Sequence, residues 1–432
     1  MNFETCTFQA HGKTIKGLNI IGNKVSQRNP THTIILLDTS GSMNENDKLK
    51  NVKKSLQYLI KFLLPSDFLS LITFSYSSKI VFENISVNSY TSQALDVTIS
   101  SLEALGGTNL SSGLLNARKI LEHTQTSNIK TSIIILTDGH TNEGITHSQE
   151  LINLIHYIKA LRNDITINSI GYGEDHNANL LKDIAIHGNG GYSIVNNLES
   201  VATVFGEVLG GMMSCVAQNT TVSISSSWNC FNIYSKSTQN NMTIIDIGDI
   251  YAETETILLF EGGSGTASVQ SVNTCNFEII NHSNDFSINS TNKEPYMFAY
   301  IRNMLSYLLT NLNTENQTEN MNSLNTIKLL LQEVENSNNI LLPFLKEQVA
   351  NIETQLSMPH NPLNESQFIQ TSAFLGLGRG IYTPSRPTYR NNNINDITDQ
   401  MNNANICTPF SNRVQREITN TLNLTLSQDP TN

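Results

Sequence analysis

One carboxylate and two hydroxyls fall within five residues, Asp38-Thr39-Ser40-Gly41-Ser42, directly after the apolar run Ile34-Ile35-Leu36-Leu37. Short side chains ending in hard oxygen suit a small divalent cation such as Mg²⁺. Gly41 permits a tight turn that points both hydroxyls the same way. Taken alone, the pentapeptide reads more readily as a helix-capping turn, because Asp and Ser favour such positions for ordinary reasons.

Two distant segments change its weight. Gly106-Gly107-Thr108-Asn109 offers another hydroxyl on a loop whose backbone can approach a ligand, although paired glycines can also simply end a helix. Ser132–Thr137 is a second apolar run, and it ends in Asp138-Gly139, a carboxylate where a strand should stop. His140 follows two residues later and reads as a surface-loop histidine. His147, His156, His176 and His187 show no metal-ligand spacing and are assigned nothing. Ser40 and Ser42 are poor candidates for nucleophiles, because no local residue supplies the base that activation requires. Gly171-Tyr172-Gly173 lacks the third glycine of a dinucleotide loop.

These residues need a scaffold, and the hydrophobic pattern describes one. Thr33–Leu37 and Ser132–Thr137 read as strands buried on both faces. Leu49, Val52, Leu56, Leu59, Ile60 and Leu63 recur at helical spacing up to Pro65. Phe68–Phe74 and Ser78–Phe82 read as a hairpin. Helices are expected at Ala94–Leu105, Ser112–His123, Ser148–Arg162, Leu180–His187 and Leu198–Leu209, with strands at Ile165–Ile170 and Gly190–Ile194. Alternation of this kind implies an α/β domain with a doubly wound, mostly parallel sheet. Its ligands belong in a crevice beyond the strand carboxyl ends, where Asp38 and Asp138 both lie.

In that order and context, Asp38-x-Ser40-x-Ser42, Gly107-Thr108-Asn109 and Thr137-Asp138-Gly139 resemble the metal-ion-dependent adhesion site of a von Willebrand factor A domain. The resemblance covers residues 30–212. It implies a Rossmann-like fold and a metal set of Asp38, Ser40, Ser42, Thr108 and Asp138. Ser40 and Ser42 would coordinate directly, Thr108 directly or through water, and the two aspartates directly or through waters. The implied cofactor is Mg²⁺, with Mn²⁺ or Ca²⁺ as alternatives. The implied partner is a protein presenting Asp or Glu, whose carboxylate completes the shell. The resemblance implies a binding function and not an enzyme.

Beyond that domain the texture changes. Residues 213–292 alternate like an antiparallel β module, with strands expected at Thr220–Ile224, Phe231–Ile233, Met242–Ile247, Thr256–Phe260, Ala267–Val272 and Cys275–Ile280. Trp228, the single tryptophan, is expected in its core. Residues 1–29, with a strand near Thr14–Ile21, could add strands to this module. Residues 293–358 read as a helical hairpin or small bundle. Residues 359–432 read as irregular and partly disordered, with Arg379, Arg386 and Arg390 as a small basic patch. The phrase Ile247-Gly248-Asp249-Ile250-Tyr251-Ala252-Glu253-Thr254-Glu255 resembles a segment that follows the A domain in plant RING-type ubiquitin-ligase-like proteins. That resemblance implies, as the alternative reading, an adaptor or scaffold meeting a ubiquitin-system component. A metal-dependent hydrolase is the weakest option.

Composition narrows the classes. A net charge of −11 argues against a general nucleic-acid binder. Five scattered cysteines without a C-x-x-C pair exclude zinc-finger and RING sites, and they fit a reducing compartment. No basic start precedes an apolar core, and no apolar run approaches about twenty residues, so the expected location is the cytoplasm and no membrane span is expected.

Overall fold

The computed structural model describes residues 1–24, 30–124, 129–162, 165–173, 175–195, 198–274, 278–286, 291–311, 317–357, 415 and 417–421. The chain begins with a hairpin of β1 (Asn2–Ala10) and β2 (Lys13–Ile21). It continues through β3 (Thr31–Asp38), α1 (Lys48–Phe62), β4 (Phe68–Phe74), β5 (Ser78–Ser86), α2 (Ser89–Ser100) and α3 (Leu110–His123). Next come β6 (Lys130–Thr137), α4 (Ser148–Lys159), β7 (Ile165–Tyr172), α5 (Ala178–His187), β8 (Asn189–Val195) and α6 (Leu198–Met213). The remainder is β9 (Cys215–Ser225), β10 (Asn229–Cys230), β11 (Ser235–Gln239), β12 (Met242–Tyr251), β13 (Glu255–Glu261), β14 (Thr266–Asn273), β15 (Ile279–Asp285), α7 (Glu294–Thr310), α8 (Gln317–Glu333) and α9 (Leu341–Ser357).

These elements fall into two units. One holds residues up to Lys24 and the chain from Val216 through α9; the other holds the intervening chain and the C-terminal helical residues. In the second unit six strands lie in the order β5-β4-β3-β6-β7-β8, parallel except for the antiparallel edge strand β5. β3 is buried throughout, as is β6, which explains their continuous apolar runs. Ile35 and Leu37 face a core shared with α1, α2 and α6. The opposite face is covered by α3, whose Gly113 lets the helix approach Phe74 and Leu36, and by α4 and α5 alongside it. β3 is followed by β4 on one side, and the chain later returns to its other side as β6. The order therefore reverses between β3 and β6, the place where such sheets open a crevice.

The first unit has two antiparallel sheets. One is β1-β2-β13-β10 and the other β11-β12-β9-β14-β15. Trp228 is buried with Phe260 and Phe286 at ring separations of 6.0 and 5.7 Å, and the Lys16 ammonium sits 4.3 Å from its ring. Such stacking of cation on indole is favourable when little water reaches it.

Several local expectations shift. Phe231–Ile233 is not a strand. The Asn232 side chain takes over the pairing with β13, accepting from Leu259 N–H (2.9 Å) and donating to Ile257 O (3.0 Å). The next strand, β11, is polar throughout and pairs with β12 in the other sheet. The helix expected to run to Leu105 stops at Ser100, because Leu105 N–H is recruited by Thr39 O (2.8 Å). The strand placed at Cys275–Ile280 falls partly outside the described residues, and the strand described there starts at Ile279. Arg379, Arg386 and Arg390 lie outside the described residues. Within 359–432, read as irregular and partly disordered, Gln415 and residues 417–421 are helical and pack on α6. Ile418 is 7% exposed in the core of the second unit, and Gln415 Nε2 donates to Glu207 O (3.0 Å).

Candidate metal centre

Asp38 is the last residue of β3, and Thr137 is the last of β6. Because Leu37 is opposite Leu136, the register sets these two side by side. Asp38 is fully buried and both carboxylate oxygens are occupied: Oδ1 accepts from Ser40 N–H (2.8 Å), and Oδ2 from the Thr137 hydroxyl (2.5 Å). Burial pushes its pKa up to about 6, against hydrogen bonds from Thr137 and Ser40, and the nearby Asp138 charge adds to the rise. An anion held dry and short of positive charge is what a bound cation would relieve.

The turn after Asp38 is tied to the second loop. Gly41 N–H donates to Gly106 O (2.9 Å), and Asn44 Nδ2 to Ala104 O (2.8 Å). Thr108, 2% exposed, is braced from the third loop: its N–H donates to Asn142 Oδ1 (2.7 Å), and its carbonyl accepts from Asn142 and Glu143 N–H. Asn109 caps α3 by accepting from Ser112 N–H (3.0 Å). Ser40 Oγ and Ser42 Oγ are 3.2 Å apart. Adjacent oxygens of an octahedral Mg²⁺ shell, with bonds near ~2.1 Å, lie about 3 Å apart, so this spacing fits. Asp38 at the end of β3 and the other four expected residues on the loops after β3, α2 and β6 are thus on segments joined by hydrogen bonds. Among the described residues no three His, Cys, Asp or Glu side chains cluster for a metal.

Sequence reasoning missed Lys48. It is 1% exposed at the start of α1, and its ammonium lies 3.3 Å from Asp138 Oδ2 and 3.0 Å from Asp175 Oδ1. Burial opposes the lysine's charge, but Asp175 and Asp138 outweigh it and hold its pKa above the ordinary value. Asp175 is correspondingly lowered: its partial desolvation is overcome by Lys48. The signal was Gly171-Tyr172-Gly173. Gly173 has φ +84, and a Cβ there would lie 2.6 Å from Lys48 Cε. His140 does not enter the cluster of oxygens; its Nε2–H donates to the Asp175 carbonyl (2.6 Å). His156 and His187, assigned nothing, meet across α4 and α5 with ring nitrogens 3.1 Å apart.

Residues 33–207 match the family pattern of the von Willebrand factor type A domain. This part of the chain is a von Willebrand factor A domain. The A-domain chain is 28% identical over 190 residues to the uncharacterised protein YfbK of Escherichia coli, covering 44% of this chain and 32% of that one. It is 25% identical over 202 residues to the E3 ubiquitin-protein ligase WAV3 of Arabidopsis thaliana, covering 46% and 25%. It thus spans no more than about a third of these relatives' length. A solved structure, von Willebrand factor type A from Catenulispora acidiphila, superposes with a TM-score of 0.61 over 88% of this chain and 97% of that one, at 14% identity. That likeness concerns the fold, and it extends beyond the A domain into the β and helical elements. Among the described residues no helix is long and apolar enough to cross a membrane.

Proposed function

We propose that the chain is a non-enzymatic binding protein whose A domain captures an acidic residue of a protein partner through a divalent cation, Mg²⁺ by preference. Asp38, Ser40, Ser42, Thr108 and Asp138 would hold the ion, and the ion when bound supplies a Lewis-acidic position for the incoming carboxylate. The observation that carries this reading is the oxygen cluster itself. Two buried aspartates at the carboxyl ends of neighbouring strands accompany two hydroxyls whose 3.2 Å separation suits octahedral coordination. Five side-chain donors, one of them shared with Lys48, leave an octahedral shell open, which favours an external acid as the last ligand. Asp38 and Thr137 fix the base of the site, Asn142 braces Thr108, and Lys48 restrains Asp138. Ser40 and Ser42 pair with each other and not with a histidine, which argues against nucleophilic chemistry.

The likeness to a relative named as a ubiquitin ligase supports a second reading, an adaptor in ubiquitin transfer. Without a C-x-x-C pair this chain would need a partner carrying the catalytic module. Calorimetric titration with Mg²⁺ and Mn²⁺ tests the first reading, and the expected result is one site that Asp38→Ala abolishes. Partner capture should then fall with EDTA and with the same substitution. Capture unchanged by both would overturn it, and a captured ubiquitin-ligase subunit would favour the second reading.

A further inference from the structure

Lys48 is the one feature of the centre that the expected ligand set does not explain. A fully buried ammonium is costly unless paired, and a lysine beside a cation site repels the cation it adjoins. Yet the fold makes specific room for it. Gly173 clears its Cε through a left-handed turn, and Asp175 is placed to share it with Asp138. Asp138 Oδ2 is thereby taken, and Oδ1, which accepts one long hydrogen bond from His140 N–H (3.5 Å), is the oxygen left to serve an ion or its waters.

The charges show what this achieves. Asp38, Asp138 and Asp175 carry three negative charges and Lys48 one positive. A divalent cation brings the group to neutrality. Without Lys48 the loaded group would be negative by one, and it would repel a further carboxylate. Asp175 is 54% exposed and screened by water, so its weight is smaller, but the sign of the change is the same with or without it.

We propose that Lys48 is a positioning residue that biases this centre toward an external carboxylate: by pinning Asp138 and cancelling one charge, it gives up cation affinity for anion affinity. This rests on the binding reading above and specifies its partner chemistry as a carboxylate whose charge the loaded site must accept. A single experiment on the full chain distinguishes metal binding from the charge effect of Lys48. Mn²⁺ affinity is measured by calorimetry, and sodium acetate binding to the Mn²⁺-loaded protein by water proton relaxation.

Lys48→Met should bind Mn²⁺ roughly tenfold tighter or more and acetate roughly tenfold more weakly. Asp175→Asn should shift both in the opposite directions by about two- to threefold, because that site is screened. The double variant should return toward wild type in both. A merely structural lysine would not produce opposite signs or that rescue. If both affinities stay within about twofold of wild type, or move together, the proposal is overturned. Should Lys48→Met fail to fold by circular dichroism, Asp175→Asn decides the question by the same sign rule. Wild-type protein that binds no Mn²⁺ would sink the metal reading and this inference with it. Mn²⁺ binding without the charge effect would sink this inference alone.

Discussion

Gly206 and Gly210 sit one helical turn apart inside α6, where glycine costs about 1 kcal/mol each relative to alanine. The C-terminal helical turn gives the reason. A Cβ on Gly210 would lie 2.5 Å from Gln415 Cα, and one on Gly206 would collide with Thr419. Gly210→Ala therefore has two opposed effects. It stabilises α6 by ~1 kcal/mol through propensity. It also displaces a backbone atom that cannot rotate away, putting at risk the burial of Ile418, about 2–3 kcal/mol, and one hydrogen bond of ~1 kcal/mol. In the full chain the net should be a loss of about 1–3 kcal/mol, or roughly 2–10 °C for a domain of this size. In a chain ending before residue 415 the sign should reverse, to a gain of ~1 kcal/mol. The assay is scanning calorimetry on both backgrounds. The single tryptophan, Trp228, lies in the other unit, so fluorescence identifies the transition that is not the A domain. Equal stabilisation in both backgrounds would refute the packing argument.

Two further outcomes follow from buried ionisable groups. His32 is fully buried, paired with Ser70 Oγ at 2.9 Å, and its pKa is lowered to about 4 by burial with Arg162 nearby. The unfolded state then binds the extra proton first, so stability should fall as pH drops from about 6.5 to 4, by up to ~3 kcal/mol. Urea titrations across that range should show the loss in wild type, and His32→Asn should flatten it. Asp38 has the opposite sense: its pKa, raised to about 6, means that the metal-free fold loses stability as pH rises from about 4 to 6. Asp38→Asn should therefore raise metal-free stability at pH 7 by up to ~3 kcal/mol while erasing any Mg²⁺-dependent rise in melting temperature. A melting temperature that still responds to Mg²⁺ would count against the metal set.

The parts of this molecule legible in the sequence are those encoded by near neighbours. Ile34–Leu37 and Ile133–Leu136 announce central strands because both faces are buried, and the aspartate ending each run marks the crevice. Lys48 was not legible, since its partners are distant in sequence and a lysine in a first helical turn normally faces water. Its trace was the space kept by Gly173. Asn232 looked like part of a strand because its neighbours are apolar, while its side chain does what a backbone would have done. The C-terminal turn was hidden by polar composition, and only the paired glycines of α6 hinted that something lies close.

β2 pairs with β13 from Ile21 opposite Glu255 to Ile15 opposite Glu261. The whole A domain is therefore inserted between two strands of one sheet. On a ribosome adding about 5–20 residues per second, the N-terminal hairpin waits on the order of 10–50 s for its neighbour. During that interval it presents an unpaired edge able to recruit other chains. The A domain, complete in its central strands well before β13 emerges, can fold first and take up most of the chain between β2 and β13. Its early folding would then act as a clamp that shortens the loop β2 must close, so that A-domain mutations which slow folding should show up as aggregation of the β unit during synthesis.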